Sequence, residues 1–426
     1  MKRVVITGIG VVSSIGTGKN DFLNAVKNGT SGIKKIPELQ KYNLNCQIGG
    51  LPNCMDSPYL SVLEKHNLTI TSSTLLYACL AGIEAWTDAQ LTIPEYDSVH
   101  TDADTGIIVG SGMGSMDLVS EKLIPFVKEG KHKKMGSITI EQLLFSAPSS
   151  FLSGLLATGN MSTTNSNACV TGTEAIILGF NHIQNGKAKR MLVGGTEGFS
   201  PYHWACFDAL RVPTTQFNEA PEKGSRPMSA TASGLVPAAG AGILMLEELE
   251  SALSRNATIY AEIAGGFLNS GGQRNGGTMS APNPDGVIAC IAGALKDSKM
   301  NPSAIDCISG HLTSTMFDVL EIKNWVTALK REQHDFPYIN ALKSMTGHSF
   351  AASGAIETIA AALEIKHQFI HSSINCEDVH PEIKKLIDVE KIPQTCMNNK
   401  IINVIAKTSF GFGDVNACLI LKKITA

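Results

Sequence analysis

Among the ten cysteines and eleven histidines of this 426-residue sequence, a few stand in surroundings that suit chemistry. Cys169 lies in STTNSNACVTGTEAIILGF, where small polar residues run into the thiol and an apolar helix is expected about two residues later. A thiol at a helix N-terminus feels unpaired backbone N–H groups and the positive end of the dipole, which lowers its pKa towards the nucleophilic thiolate. Gly172 permits close backbone approach beside it. An isolated cysteine is ordinarily a buried structural thiol, so Cys169 needs partners to mean more. His311, in SGHLTSTMFDVLE, follows the apolar strand end DCISG and is trailed by the hydroxyls of Thr313, Ser314 and Thr315. Layered α/β proteins place their sites at such strand ends, although a loop histidine satisfied by hydrogen bonds is the commoner case. His348, in NALKSMTGHSFAASGAIE, precedes a helix rich in small residues; a helix N-terminus disfavours imidazolium, and a neutral ring can donate to a developing oxyanion. Lys343, between Leu342 and Met345, reads equally as a solvated charge or as part of a site. In TSFGFGDVNA, Phe410 and Phe412 alternate with Gly411 and Gly413, which suits a mobile loop presenting backbone N–H groups.

These residues need a scaffold. Strand-like runs occur at Val4–Thr7, Gly106–Gly110, Arg190–Gly194 and Ala241–Leu246, then at Ala257–Gly265, Cys307–Gly310, Tyr338–Asn340, Ile401–Lys407 and Ala417–Leu421. Helical patterns lie between them at Ser72–Ala89, Thr173–Gln184, Asp285–Asp297, Asp318–Leu329 and Gly354–His367. Alternation of the two predicts an α/β layered fold, and the helix after Thr173, apolar on nearly all sides, belongs inside it. The length favours two domains or a duplicated unit, and GAGILMLEE and GFGDVNACLILKK end the two parts alike, which suggests duplication near residue 250.

Composition narrows the function. Charged residues are 17% of the chain and the formal net charge is -3, so no chain-wide basic field attracts nucleic acid or an anionic membrane. The cysteines show neither a CxxC pair nor zinc-type spacing, which predicts reduced thiols in a soluble cytoplasmic protein with no metal. The opening MKRVVITGIGVVSS reads as a buried first strand rather than a signal peptide, and no run reaches the roughly 18 to 20 apolar residues of a membrane span. TGIGVVSSIGTGKN lacks both the phosphate-loop spacing and the third glycine of the dinucleotide fingerprint.

Taken in order, Cys169, His311, Lys343, His348 and the closing GFG turn resemble the elongating β-ketoacyl-acyl carrier protein synthases. The resemblance runs along nearly the whole chain, through VVITGIGVVSSIG, NACVTG, SAPNPDG, KSMTGHSFAASGAIE and KTSFGFG. It implies a thiolase fold, five αβαβα layers built from two duplicated halves, with Cys169 in 1–250 and His311, Lys343 and His348 in 251–426. It implies decarboxylative condensation: Cys169 takes an acyl group from acyl carrier protein, with the N–H groups of Cys169 and Phe412 as oxyanion hole, and the two histidines assist malonyl decarboxylation. Lys343 and Glu357 would support the histidines, Thr313 and Thr315 line the malonyl end, and Phe412 gate the acyl pocket. No metal or organic cofactor is implied. The partners implied are acyl carrier protein and either a second copy or a related ketosynthase-like subunit; Lys128, Lys131, Lys133 and Lys134 form a candidate docking patch.

The chain departs from that family pattern in three places. HLTST stands where HGTST is usual, so Leu312 brings bulk beside His311; RPMSATASG at 226–234 lacks three usual charges and is followed by Pro237-Ala238-Ala239-Gly240; and Asp414 replaces a glycine. The drift points to a specialised synthase making a polyketide-like or polyene product, more than to the housekeeping fatty-acid enzyme. A non-catalytic partner subunit resembling chain-length factors is the competing expectation, and the retained cysteine and histidines oppose it.

Overall fold

A computed structural model describes residues 1–425 of the chain. Along the main path of its large sheet the strands, in chain order, are β1 (Val4–Ser13), β2 (Thr105–Gly110), β3 (Ser162–Thr163), β4 (Arg190–Glu197) and β5 (Gly240–Glu248), then β6 (Ala261–Ser270), β7 (Cys307–Ser309), β8 (Tyr338–Asn340), β9 (Val404–Gly411) and β10 (Val415–Lys422). The first five run in the order β3-β2-β4-β5-β1 and the second five in the order β8-β7-β9-β10-β6. The two orders are the same when each set is counted from its own first strand. Directions also match: β1 and β5, and β5 and β4, are antiparallel, while β4, β2 and β3 are parallel, and the second set repeats this strand for strand. The fold is thus a duplication, with the changeover between Glu248 and Ala261. The two sets are hydrogen-bonded edge to edge where Val4–Ile6 of β1 meets Ala261–Ile263 of β6.

Helices supply the other layers. Helix α1 (Ser73–Asp88) and α2 (Ala147–Leu156) cover the outer face of the first set, and α3 (Thr171–Gln184) packs between the two sets. Helices α4 (Pro284–Ser298) and α5 (Phe317–Leu329) cover the outer face of the second set, and α6 (Ser353–His367) joins α3 in the middle. Three apolar cores fill the gaps, one around α1, one around α3 and α6, and one around α4 and α5, which gives five layers. As its all-round apolarity predicts, α3 is largely buried, and α6 is buried from Ser353 through Ile365.

The elements differ from the sequence expectation mainly in extent. Strand β1 continues six residues past Thr7, because Gly8 and Gly10 do not interrupt it. A Cβ at either position would stand 2.1 Å or 1.8 Å from a carbonyl of α1, so these glycines let the helix lie flush on the strand. At the C-terminal end, β9 runs through Phe410 and Gly411 into a tight turn of Phe412, Gly413 and Asp414. Only that turn, rather than the whole TSFGFGDVNA stretch, lies outside regular structure. Among the described residues, no helix is long and apolar enough to cross a membrane.

Candidate active site

The two central helices start alike. Before α3 stands the 3-10 turn Ala168–Val170, and before α6 the 3-10 turn Phe350–Ala352. Each turn opens on a residue in the left-handed region, Ala168 at φ 47° and Phe350 at φ 44°. This backbone is unusual for non-glycine residues and persists only where packing enforces it. Cys169 is the second residue of its elbow-like turn, directly after the left-handed Ala168. Gly172 allows the two helix starts to meet, since a Cβ there would lie 2.8 Å from the Ala351 carbonyl.

Cys169, His311 and His348, far apart in sequence, converge on one cavity of about 460 Å³. The Cys169 sulfur lies 3.1 Å from His348 Nε2, and His348 Nδ1 lies 2.9 Å from the Ser353 hydroxyl. The two imidazole rings meet edge to face with centroids 5.4 Å apart. Thr313, Thr315 and Phe412 also line the cavity. The threonine hydroxyls lie 3.0 Å from each other, and the Phe412 amide hydrogen-bonds the Cys169 sulfur.

Behind His311 sits a layer of buried charge. Lys343, 2% exposed, is no surface lysine: its Nζ donates to the His311 carbonyl at 2.5 Å, approaches His311 Nδ1 at 3.3 Å, and pairs with Glu357 Oε1. An ammonium has only hydrogens to offer, so Nδ1 accepts and the proton of His311 stands on Nε2. The loop carrying His311 is held by two carboxylates of the first turns of α5. Glu321 accepts from the N–H groups of His311 and Leu312 at 2.7 and 2.8 Å, and Asp318 from those of Thr313 and Ser314 at 2.9 and 3.1 Å.

Electrostatics modify two expectations. Burial pushes the Cys169 thiol up to about 12, against the opposing pull of Lys343 and the Phe412 amide. The helix start therefore does not by itself create a thiolate in the free protein, because desolvation of the anion exceeds it. Both histidines are held well below the usual imidazole range, as expected for His348, but the first cause is burial, followed by the ammonium of Lys343. Helix direction is not needed to keep them neutral.

The sequence profile described as Beta-ketoacyl synthase, N-terminal domain, matches residues 1–252, and that of the C-terminal domain matches residues 260–377. The chain belongs to the beta-ketoacyl synthase family. It is 34% identical to the 3-oxoacyl-[acyl-carrier-protein] synthase 1 of Haemophilus influenzae, over 99% of each chain. It is 32% identical to the enzyme of that name from Escherichia coli, over 100% of each. A solved type II polyketide ketosynthase in complex with its acyl-carrier protein superposes with a TM-score of 0.86 at 29% identity, over 99% of this chain and 100% of that one. The ishigamide ketosynthase/chain length factor superposes with a TM-score of 0.87 at 28% identity, over 100% of both. The thiolase-type layering expected from the resemblance is the architecture found.

Within this synthase scaffold, the three departures have different consequences. Leu312 does not reach the cavity: it is 1% exposed, folded over Gly310 into the core around α4 and α5. The 226–234 stretch does reach it, through Ala232, Ser233 and Gly234. Where charges are missing, the Ser229 and Thr231 hydroxyls donate to Asp378 at 2.5 and 2.8 Å. Asp414, at φ 59°, ties the 412–414 turn to the 271–283 loop by accepting from the amides of Gln273 and Asn283, each at 2.8 Å. Lys128, Lys131, Lys133 and Lys134 are exposed but do not line the cavity, whose rim carries the exposed Arg211.

Two buried groups escaped sequence reading. Glu197 accepts from the amides of Gly112 and Met113, each at 3.0 Å, and burial raises its pKa to about 7. Lys407, 0% exposed, pairs with Glu357 Oε2 at 2.7 Å. A lysine inside the apolar run IINVIAKTSF was the available signal for the second.

Proposed function

We propose that this synthase condenses a Cys169-bound acyl group with malonyl-acyl carrier protein, in fatty-acid or polyketide assembly. The observation that carries this reading is the 3.1 Å approach of His348 Nε2 to the Cys169 sulfur, in the same cavity that His311 enters. In the first stage, the Cys169 sulfur attacks the thioester of an acylated carrier protein. The N–H groups of Cys169 and Phe412 hold the tetrahedral oxyanion, and the carrier thiol leaves with a proton. In the second stage, the malonyl thioester carbonyl accepts from Nε2–H of His311 and of His348. The bond to the carboxylate breaks, CO₂ departs, and its electron pair becomes an enolate whose oxygen the two rings stabilise. The enolate carbon then attacks the acyl carbonyl, and the Cys169 sulfur leaves as thiolate.

Neutral rings suit this task, since an imidazolium would pair with the malonyl carboxylate and oppose its loss. Lys343 and Glu357 touch no substrate; they fix the His311 ring. Thr313 and Thr315 face the malonyl end, and Phe412 gates the acyl side. The reaction so drawn uses no metal or organic cofactor. The names of the structural relatives support acyl carrier protein as the partner that delivers both groups, and a pairing with a second copy or a related subunit. The test is intact mass after incubation with a panel of acyl-carrier proteins. An adduct on wild type that is absent from Cys169→Ala supports the assignment; no adduct with any donor, or one that persists in the variant, refutes it.

A further inference from the structure

Lys343 and Lys407 approach one carboxylate from opposite sides. Lys343 takes Glu357 Oε1, and Lys407 takes Glu357 Oε2 at 2.7 Å. Beside that ion pair, Lys407 donates to the Thr408 carbonyl and to Ser409 Oγ, the latter at 3.0 Å. Burial pulls its pKa below the usual lysine range, and the Glu357 carboxylate opposes that pull. The groups facing Lys407 are Glu357 of α6, Lys343, Glu321 of α5 through Thr408, and Cys418 of β10, with both histidines beyond. Two lysines thus share the Glu357 carboxylate in a dry interior, with the Glu321 carboxyl behind Thr408, and the two histidines in front of them add no charge.

We propose that Lys407 is a positioning residue of the condensation, holding a buried positive charge that offsets the anion formed beside Cys169. This rests on the condensing reading above. That anion is successively the Cys169 thiolate, the malonyl carboxylate and the enolate. Lys407 is also tied to the nucleophile's own helix, since its partner Ser409 Oγ lies 2.8 Å from Thr173 Oγ1 on α3. Its charge therefore stands in fixed register with Cys169, Lys343 and Glu357. Lys343 cannot take over this role, because its charge is matched by Glu357 once Lys407 is gone.

The experiment compares wild type with Lys407→Met, Lys407→Gln and Lys407→Arg by thermal unfolding, iodoacetamide alkylation of Cys169, and CO₂ release from malonyl-acyl carrier protein across pH. Loss of the cation disfavours the thiolate and favours imidazolium. In Lys407→Met and Lys407→Gln, alkylation at fixed pH slows by roughly tenfold, one unit of thiol pKa. The acid limb of CO₂ release moves to higher pH in the same variants. Lys407→Arg restores both. A folded Lys407→Met or Lys407→Gln protein whose two pH profiles coincide with wild type after scaling overturns the proposal. So does folding of Lys407→Arg alone, which assigns the charge to stability only. Absence of CO₂ release from wild type refutes the condensing reading instead.

Discussion

If Lys343 acts on the reaction only through His311, removing both must cost no more activity than removing His311. The perturbation is Lys343→Met, which keeps most of the side-chain volume and deletes the ammonium. In the structure that ammonium serves Glu357 Oε1, the His311 carbonyl at 2.5 Å and His311 Nδ1 at 3.3 Å. Glu357 keeps Lys407, so no isolated charge is left buried. Three buried acceptors lose a partner, at about 1–3 kcal/mol each, or about 3–9 kcal/mol of stability in all. Unfolding entropy of about 2.1 cal/mol/K per residue over 426 residues is about 0.9 kcal/mol/K, so Tm should fall by about 3–10 °C. For activity, the ceiling is the loss of one oxyanion donor, about 10²–10³ in kcat, which is the expectation for His311→Ala. Lys343→Met should lose at most that much, and Lys343→Met/His311→Ala should match His311→Ala within about twofold, the usual scatter of about 0.5 kcal/mol. CO₂ release from malonyl-acyl carrier protein is the assay, because it bypasses acylation of Cys169. Multiplying losses in the double variant would refute a purely positional Lys343.

Three further outcomes follow from the site. With its thiol pushed up to about 12, Cys169 of the free protein should alkylate faster and faster from pH 7 to pH 10; a plateau near neutrality would show that the elbow does create a thiolate. Leu312→Gly should destabilise the protein by at least the roughly 2–5 kcal/mol of a buried leucine truncation, read by chemical denaturation, while KM for malonyl-acyl carrier protein stays within about twofold; a large KM change would place Leu312 at the cavity. Asp414→Ala strips two loop amides of their acceptor, so trypsin should cut after the exposed Arg274 faster than in wild type, and an unchanged rate would deny Asp414 its tethering role.

Periodicity made the scaffold legible, because long elements declare themselves. Helix α3 was readable as apolar on nearly all sides, α6 as rich in small residues, and β4, β7 and β8 as short apolar runs. Helix α2, APSSFLSGLL, was not, since three serines break the apolar pattern that it completes only against Gly82 and the strands. At the site, the residues that converge on the cavity were readable in sequence order, whereas their electrostatics were not. The rise of the Cys169 thiol comes from atoms contributed by distant segments, which no local rule contains. Lys407 and Glu197 are charges in apolar strands, and what makes them meaningful is the carboxylate or the amides brought to them by segments distant in sequence.

The duplication accounts for Cys169, the proposed nucleophile, lying in one half and both cavity histidines in the other. The elbows before α3 and α6 are equivalent in backbone, from the left-handed Ala168 and Phe350 to the helix starts at Thr171 and Ser353. Counting along each elbow, Cys169 corresponds to Ala351, and Gly172 to Gly354. The amide of Ala351 donates to the buried Glu197, whereas Cys169 lines the cavity. Only one elbow can therefore present a sulfur and an amide to substrate. The second elbow instead contributes the histidine just ahead of it, His348, at hydrogen-bond distance from the first elbow's sulfur. A site built this way needs both helix starts in contact, which is why small residues stand at Gly172, Ala351 and Ala355. The reacting groups lie at the seam between the halves, so neither half alone could assemble them.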